Sequence, residues 1–364
     1  SPLPWNLAAS RLFGKPFTVT EFDYAKPNFY RAEGGVLPAA YAGLQDWSGL
    51  VQFAYSHGYG NIIYDQTTGG PFDLGSDVVK MLSHRIGVKL FLGKEIKPSP
   101  VILAAAFSGP EGMNFSQVPS RDFRNLGLVA RIGTAILPDA ASVRTKLPDG
   151  IHALLNTGYN FPKLEFKVPV VRAQNFGSAP FKDLMNRGIL PDDSVDVSGK
   201  RFRSAGGQLE LDSARQTFRA TAPGIEVLIL PEKLEGSSGL MRIQNRIGRG
   251  VFSLQSVDGK PLKESKRMLF LHLTDSQASL LKFDNSLMKQ YSTWGKAPHL
   301  AARGEAEVRL NLPADRSCTL YSCNTGGKRL ARIPVRRNTE GEIVFDAHVF
   351  RPEGQVFVYE LTFD

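Results

Sequence analysis

The chain has 364 residues, 42% of them hydrophobic and 22% charged, which is the composition of a globular protein long enough to bury a sizeable core. Its 44 Lys and Arg residues outnumber the 35 Asp and Glu residues and give a formal net charge of +9, but they are dispersed over strand-like segments. Because there is no basic helix, no platform of interleaved aromatic residues and no apolar run of transmembrane length, we expect neither nucleic acid nor a membrane as a partner.

A short strand is predicted at 17–22, where β-branched and aromatic residues follow a Gly and a Pro. Phe17, Val19 and Glu21 share one parity, so Glu21 should lie at the C-terminal end of the strand on the face of two apolar residues. A carboxylate there is costly unless it is paired or used. It is either a glutamate just outside the core that pairs with an arginine, or a functional group, since α/β barrels keep their chemistry at the C-terminal ends of strands.

The elements predicted after this strand are a loop at 23–29, a helix at 31–47, a strand at 50–57, a loop at 58–72 and a helix at 76–92. We expect Trp47 to belong to the core rather than to a sugar platform, and Ser76 to cap the last helix. Tyr55 and His57 fall at the C-terminal end of the second strand, which is beside Glu21 if the two strands are neighbours.

Four groups of residues in this region carry a resemblance to a known family; they are Thr-Glu-Phe-Asp-Tyr at 20–24, Pro-Asn-Phe-Tyr-Arg-Ala-Glu at 27–33, Ala-Ala-Tyr at 39–41 and Leu-Gln-Asp-Trp at 44–47. Together they resemble the late part of the catalytic (β/α)8 barrel of clan A glycoside hydrolases. In that family the seventh strand ends in the nucleophilic glutamate, and the eighth strand follows the next helix. The resemblance covers about 15–57 and continues more faintly to about 96.

The resemblance implies that the chain carries the last two β/α units of such a barrel, with Glu21 as the nucleophile of a retaining glycosidase. The substrate would be an oligo- or polysaccharide with β-linked sugars, and neither a metal nor an organic cofactor would be needed. Arg31, Tyr55 and His57 are candidates to keep Glu21 ionised. The expected substrate-binding residues lie in the loops that follow the two strands; they are Tyr24, Asn28, Tyr55, His57 and Tyr59.

The second catalytic carboxyl group has no equivalent in this chain. The family carries its general acid/base in an Asn-Glu pair after the fourth strand, and the chain begins just before the seventh. Glu33 starts a helix, where its charge suits the helix dipole, and Asp23 lies beyond the strand end, so neither is taken as the acid/base. We therefore expect a C-terminal piece of a longer enzyme, or a second chain that supplies the N-terminal barrel strands.

The sequence pattern changes twice in the rest of the chain, at about residue 97 and at about residue 194. Residues 97–193 begin at a Lys-Pro-Ser-Pro boundary and predict a small α/β or β module. An apolar run of strand length lies at 101–107, a second apolar segment at 126–137, and further strand candidates at 153–155 and 164–171. From 194 onwards, short strand candidates separated by Gly-rich turns predict a β-sandwich, whose segments resemble the accessory sandwich of the same hydrolases. The predicted class is α/β plus all-β, with final barrel units at 1–96, an intermediate module at 97–193 and a sandwich at 194–364.

The predicted sandwich region contains the two cysteines of the chain and a Tyr/Trp pair. Cys318 and Cys323 have an odd spacing, so on one strand they face opposite sides and should be free thiols unless a turn intervenes. No His/Cys cluster has the spacing of a zinc site. Tyr291 and Trp294 fall in a stretch without strand pattern at 284–298, where they either stack on sugar or, as we favour, are buried at a domain junction.

Two functions from different classes remain open at this point. The chain belongs to a retaining glycoside hydrolase and carries the nucleophile half of its site, or it is a non-catalytic carbohydrate-binding or structural fragment in which the sandwich binds the ligand. The sequence leaves open which sugar and linkage are used and whether the action is exo or endo. Low cysteine use leaves the compartment open, with a secreted or periplasmic location slightly favoured.

Overall fold

The computed structural model describes residues 5–63, 68–108, 121–137, 149–156, 170–173, 180–196, 198–285, 290–313 and 316–364. Strands make up 40% and helices 15% of the structure, so the chain is β-rich. It forms two compact units; the first is built from Ser1–Thr20, Ala40–Leu50 and Ile96–Leu211, and the second from Glu21–Ala39, Val51–Glu95 and Asp212–Asp364. The domain boundaries at residues 96 and 193 stay a prediction.

The described helices are α1 (Trp5–Ala8), α2 (Val36–Gln45), α3 (Gly60–Ile63), α4 (Val78–Phe91), α5 (Arg121–Asn125) and α6 (Pro180–Asn186), with 3-10 turns at Arg31–Glu33 and Leu126–Leu128. The described strands are β1 (Thr18–Phe22), β2 (Gly49–Gln52), β3 (Ile102–Ser108), β4 (Arg131–Leu137), β5 (Ile151–Asn156), β6 (Val170–Ala173), β7 (Arg201–Arg203), β8 (Leu209–Asp212), β9 (Thr217–Ala222), β10 (Ile225–Leu230), β11 (Glu235–Ser237), β12 (Met241–Ile247), β13 (Gly250–Ser256), β14 (Arg267–Leu273), β15 (Ser276–Ser279), β16 (Lys282–Phe283), β17 (Tyr291–Thr293), β18 (Lys296–Ala301), β19 (Glu305–Leu310), β20 (Cys318–Cys323), β21 (Arg329–Ile333), β22 (Arg336–Arg337), β23 (Ile343–His348), β24 (Phe350–Arg351), β25 (Gly354–Gln355) and β26 (Val358–Phe363).

The first unit contains a four-stranded parallel sheet in the order β4-β3-β5-β6. Ile102 of β3 pairs with Arg131 of β4 on one side and with Ile151 of β5 on the other, so β3 is an internal strand of the sheet. Its nearly continuous apolar sequence suits a strand that is covered on both faces, as in open α/β sheets. The predicted strand at 101–107 is thereby confirmed, and most of the one predicted at 164–171 lies outside the described residues.

Gln45, the last residue of α2, is bound to the backbone beside this sheet. Its Nε2 donates to the carbonyl oxygens of Gly127 at 2.9 Å and Ala130 at 2.7 Å, and its Oε1 accepts from the Ile132 N–H at 2.9 Å. The amide nitrogen of this buried side chain donates twice and the amide oxygen accepts once, so neither polar atom is buried without a hydrogen bond. Trp47, 5% exposed, packs against Phe17 with ring centroids 5.4 Å apart, which confirms its predicted place in the core.

The first two strands form a small parallel sheet. Ser48 N–H donates to the Phe17 carbonyl at 2.8 Å and Phe53 N–H to the Phe22 carbonyl at 3.0 Å, so the two chains advance in the same direction. Within the described residues, β1 and β2 pair only with each other. The second strand ends at Gln52, whereas the sequence pattern predicted that it would continue to His57.

In the second unit, a pair of glycines divides the helix predicted at 31–47 into a 3-10 turn and α2. A Cβ at Gly35 would lie 2.4 Å from the Ser83 backbone, and one at Gly87 would lie 2.2 Å from the Gly35 carbonyl oxygen. Here α4 therefore touches the Gly34-Gly35 segment backbone to backbone. The N-cap of α4 is Asp77, which accepts from two backbone N–H groups, and not Ser76 as predicted.

Most of the second unit is two antiparallel sheets that share one core. Seven of its strands are arranged in the order β21-β20-β26-β14-β13-β10-β9, and five more in the order β11-β12-β19-β23-β22. Buried residues of both sheets, among them Phe252, Phe270 and Phe345, belong to one hydrophobic cluster. The β-rich C-terminal part expected from the alternating pattern is confirmed.

Two expectations about this part had different outcomes. Cys318 and Cys323 are free thiols at the two ends of β20, as predicted. The stretch at 284–298, expected to lack strands, contains β17 and the start of β18. Tyr291 is 43% exposed and Trp294 is half-buried beside it, with ring centroids 4.4 Å apart, so the predicted burial of this pair is wrong for Tyr291.

Candidate functional site

Glu21 lies next to the last residue of β1, and its side chain is exposed. Its neighbours Val19 and Phe22 are buried, so the strand does not keep the strict alternation that put Glu21 on the buried face. In the part of the chain that the structure describes, no hydrogen bond or ion pair engages Glu21. The carboxylate is therefore solvated and accessible rather than neutralised by an arginine.

A row of exposed side chains follows the end of β2. Val51, Phe53, Tyr55 and His57 are exposed, whereas the residues between them are half-buried, and Tyr59 further along is 76% exposed. Because Phe53 N–H is bonded to the Phe22 carbonyl, this row starts beside the C-terminal end of β1. Three of the predicted substrate-binding residues, Tyr55, His57 and Tyr59, thus lie in the segment after β2, which begins beside the end of β1 where Glu21 lies.

His57 is fixed by the buried carboxylate of Asp73. Asp73 Oδ1 accepts the His57 backbone N–H at 2.8 Å and lies 2.7 Å from the ring Nδ1, while its Oδ2 accepts from Asn61 Nδ2 at 2.6 Å and from Gly70 N–H at 2.7 Å. Burial by itself raises the pKa of Asp73, but these hydrogen bonds outweigh it and hold the pKa below its usual value. With Nδ1 facing the carboxylate, the half-exposed imidazole presents Nε2 to solvent.

Aromatic rings pack around His57. Phe53 lies 5.2 Å from the His57 ring and 5.6 Å from Phe72, both in edge-on arrangements, and the His57 and Phe72 centroids are 6.1 Å apart. These separations are in the favourable range for aromatic pairs. The three rings stiffen the segment after β2 while Tyr55 and Tyr59 stay in contact with solvent.

Asp23, two positions after Glu21, is held in an ion pair. Lys80 Nζ lies 2.8 Å from Asp23 Oδ2 and also donates to the Phe72 carbonyl at 3.2 Å, and Gln52 Nε2 donates to Asp23 Oδ1 at 2.5 Å. Burial raises the pKa of Asp23, and Lys80 opposes that rise. Both oxygens of this carboxylate are engaged, so Asp23 anchors the loop after β1 and does not face a ligand.

Arg31, a candidate partner of Glu21, is instead completely buried elsewhere. Its Nε donates to Asp77 Oδ2 at 2.9 Å, its Nη2 to Asp275 Oδ1 at 2.6 Å, and its Nη1 to the Asn28 carbonyl at 3.0 Å. Burial raises the pKa of Asp77, but Arg31 and Lys26 outweigh it and lower the pKa overall. Arg31 therefore holds the loop at 26–28 and is not available to Glu21.

The other two predicted binding residues are less accessible. Tyr24 is 4% exposed and packs under Gly34, where an added Cβ would come within 2.8 Å of the Tyr24 Cβ. Asn28 is half-buried, and its Oδ1 accepts from the Tyr30 N–H at 2.8 Å, which shapes the turn that follows. The structure brings Tyr55, His57 and Tyr59 together at the strand end and leaves Tyr24 inside the fold.

Sequence reasoning missed three residues that organise this region, namely Gln52, Asp73 and Lys80. Only Asp73 had a local signal, since it follows the Gly-Gly-Pro turn at 69–71, where a carboxylate often binds turn N–H groups. The contacts of Lys80 with Asp23 and of Asp73 with His57 join separate segments, so neither spacing nor periodicity reveals them.

Among the described residues, no group of three or more His, Cys, Asp and Glu side chains is arranged to hold a metal ion. No helix in the described ranges has both the length and the apolar character needed to cross a membrane. Comparison of the chain with known protein families, with curated proteins and with solved structures finds no match.

Proposed function

We propose that the chain carries the nucleophile half of the active site of a retaining glycoside hydrolase that acts on β-linked glycans, with Glu21 as the nucleophile. The observation that supports the proposal best is an exposed carboxylate at the C-terminal end of β1 that has no partner among the described residues, beside the exposed row that starts at Phe53. The resemblance of residues 20–47 to the clan A hydrolases supports the same assignment.

The chemistry needs two carboxyl groups. In a retaining mechanism, the Glu21 carboxylate attacks the anomeric carbon, and a second carboxyl group about 5–5.5 Å away protonates the leaving oxygen and later activates water. Tyr55 and Tyr59 offer ring faces on which the C–H face of a sugar stacks. His57, with Nδ1 turned to Asp73, would offer Nε2 for a hydrogen bond with a sugar hydroxyl.

The second carboxyl group is proposed to come from outside the described residues. Asp23, Asp73 and Glu33 are each engaged with Lys80, His57 and Arg249 respectively. The two-stranded sheet of β1 and β2 has open edges in the described structure, and two apolar residues, Val51 in β2 and Phe53 directly after it, are exposed. Proteins normally cover such edges and patches, so further barrel strands, in a second chain or elsewhere in the same protein, are the proposed neighbours.

The proposal is tested by trapping the glycosyl–enzyme. The protein is incubated with a panel of activated 2-deoxy-2-fluoro β-glycosides, whose fluorine slows release of the covalent intermediate, and the labelled peptide is identified by mass spectrometry. We expect the label on Glu21, with no label in Glu21→Gln. Glu235→Gln, which changes another exposed strand glutamate, should label normally.

A second arm tests the role of the same residue through chemical rescue. Removal of the nucleophile by Glu21→Ala should abolish hydrolysis of aryl β-glycosides, and azide, which occupies the vacated space, should restore turnover and give a glycosyl azide of inverted configuration. Labelling at another carboxylate, or no labelling and no rescue with any sugar in a folded sample, would overturn the assignment.

A second candidate function is a carbohydrate-binding fragment without catalysis. It is favoured by one observation, the engagement of Asp23 and Glu33 in ion pairs and of Asp73 in hydrogen bonds with His57, which leaves Glu21 without a second free carboxylate among these residues. Glycan binding that is unchanged by Glu21→Gln, together with no turnover in the trapping experiment, would establish this alternative.

A further inference from the structure

A cleft of about 430 Å³ lies in the second unit, and none of the residues proposed for hydrolysis lines it. One wall is the segment from Phe29 to Glu33. The other includes the turns before β11 and between β12 and β13, the residues around Asp275 after β14, and Arg303 after β18. Its volume is within the range of sites for small ligands, about 300–1,000 Å³.

The sandwich wall of the cleft depends on a glycine. Gly248 has φ +76°, and a Cβ there would lie 2.7 Å from the Arg303 carbonyl oxygen, so a larger residue would be strained in both backbone angle and contact. The Gly248 N–H donates to Glu232 Oε2 at 3.0 Å. The turn therefore holds the Glu232 carboxylate in a defined position at the cleft.

The opposite wall presents two aromatic side chains to solvent. Phe29 is 43% and Tyr30 is 41% exposed, and their rings meet edge-on with centroids 5.3 Å apart. The hydrogen bond from Tyr30 N–H to Asn28 Oδ1 fixes the turn that carries them. Adjacent aromatic rings that are held rigidly but stay half-open to water provide a stacking surface at little entropic cost.

Arg249 joins the two walls. Its Nε donates to Glu33 Oε1 at 2.6 Å, its Nη2 donates to the Gln216 carbonyl at 3.1 Å, and its guanidinium carbon lies 5.4 Å from the centre of the Tyr30 ring. The cation–π contact and the ion pair keep Tyr30 and the sandwich turn at a fixed separation.

The charged groups that line the cleft are paired within the protein: Glu33 binds Arg249, Asp275 binds Arg31, Arg303 binds Glu305, and Glu232 lies 3.6 Å from Lys233. Because these charges compensate one another, an ionic ligand finds no excess of opposite charge, and a purely apolar ligand would remove the paired charges from water without offering them hydrogen bonds. A neutral ligand with an apolar face and several hydroxyl groups satisfies both walls, since planar carboxylate and guanidinium groups bind neighbouring hydroxyls and the rings take the C–H face.

We infer that this cleft, defined by Tyr30 and Glu232, is a binding site for a neutral saccharide unit, separate from the Glu21 site. The inference goes beyond the proposed hydrolase function and does not require Glu21 to be a nucleophile. A second saccharide site on the same unit would hold a polymeric glycan while another part of it is processed or released.

The inference is tested with the full chain by affinity electrophoresis in native gels that contain neutral polysaccharides (a mixed-linkage β-glucan, xylan, galactomannan or agarose) or the acidic polygalacturonate. Oligosaccharides of any retarding polymer are then titrated by calorimetry. We expect retardation by at least one neutral polymer, and at least about tenfold weaker binding in Tyr30→Ala, which corresponds to about 1.4 kcal/mol. Glu232→Gln keeps an acceptor for the Gly248 N–H and should also weaken binding.

Phe350→Ala is the control, because Phe350 is an exposed aromatic residue that lies outside the cleft. Saccharide binding by Phe350→Ala should be unchanged. No retardation by any neutral polymer, binding to polygalacturonate alone, or equal losses in Tyr30→Ala and Phe350→Ala would overturn the inference. Failure of the hydrolase proposal is a separate result, because Glu21→Gln should keep retardation and Tyr30→Ala should keep turnover of small aryl glycosides.

Discussion

Lys80 Nζ lies 2.8 Å from Asp23 Oδ2, and both side chains are almost completely buried. This pair joins α4 to the loop after β1, two positions from Glu21. In a buried pair, the attraction offsets a large desolvation cost, so removal of one partner leaves the other charge unpaired in the interior. The geometry of the proposed nucleophile therefore depends on a helix that follows it by more than fifty positions in the sequence.

The first prediction concerns this pair. Lys80→Met should lower the free energy of unfolding by about 3–5 kcal/mol, because the buried Asp23 carboxylate loses the cation with which it pairs. The double variant Lys80→Met with Asp23→Asn should recover part of the loss. Chemical denaturation checks both values.

Lys89→Met on the same helix is the matched control, since Lys89 and Glu95 are partly exposed and 3.3 Å apart. Its effect should stay within about 1 kcal/mol, as for other solvent-exposed pairs. Equal effects of Lys80→Met and Lys89→Met would show that the Asp23 pair has no special role.

The second prediction concerns Asp73, which holds the segment after β2. Asp73→Asn replaces one carboxylate oxygen by an NH2 group, which cannot accept the hydrogen bonds that Asn61 Nδ2 and Gly70 N–H donate to Asp73 Oδ2. We expect the amide protons of His57 and Gly70 to exchange about thirtyfold faster, for a local loss of about 2 kcal/mol. Hydrogen exchange read by mass spectrometry measures this directly.

Asp258→Asn is the control that tests whether loss of any turn carboxylate speeds amide exchange at His57. Asp258 likewise accepts backbone N–H groups, from Lys266 at 2.7 Å and from Lys260 at 3.3 Å, but it lies in a sandwich turn. It should leave exchange at His57 unchanged. If hydrolysis is found, Asp73→Asn should lower its rate because the His57 ring loses its fixed orientation.

The sequence predicted features that depend on neighbours along the chain. Gly-rich turns between short strands are predicted from 194 onwards, and Gly207, in one such turn, has φ +74°. Trp47 was placed in the core from helical spacing. Glu21 was placed on the wrong face because the strand does not alternate strictly at its end, where the exposed Thr20 and Glu21 are adjacent.

Contacts between distant segments were beyond sequence reasoning. Arg31 was a candidate partner of Glu21 because it is near in sequence, yet it binds Asp275, which follows it by 244 positions. No periodicity encodes such a pair. The exposure of a side chain is also set by tertiary packing. Tyr24 and Tyr55 were both predicted near the C-terminal end of a strand, yet Tyr24 is buried and Tyr55 is exposed.

The third prediction follows from the Arg31 geometry. Arg31→Lys keeps the charge but cannot reach Asp77, Asp275 and the Asn28 carbonyl at once, because an ammonium lacks the planar fork. The free energy of unfolding should fall by about 3 kcal/mol or more. Arg267→Lys, at an exposed arginine that binds Glu360, should cost less than about 1 kcal/mol. Similar losses in the two variants would contradict a bidentate requirement at Arg31.

The fourth prediction concerns His272, which is buried in the sandwich core and stacks on Phe252 with ring centroids 4.6 Å apart. Burial lowers the pKa of His272 from 6.5 to about 3. The folded protein therefore keeps the ring neutral over a range in which the unfolded chain takes up a proton, so stability falls as pH drops below about 6.5 and continues to fall toward about 3. Between pH 7 and pH 5.5 this histidine should remove about 1 kcal/mol from the free energy of unfolding.

His272→Phe should make that part of the pH profile shallower by about 1 kcal/mol, because an apolar ring of similar size cannot bind a proton in the unfolded state. His84, whose pKa burial lowers to about 4, keeps its own share of the slope. Phe270→Leu serves as the control, since it weakens the same core without changing a titratable group and should shift the whole profile down by a constant amount. The profiles are measured by urea unfolding at several pH values. If the free energy of unfolding of His272→Phe depends on pH between 7 and 5.5 as steeply as that of the original protein, the acid sensitivity arises from other groups. Proton uptake by His272 would then not contribute to it.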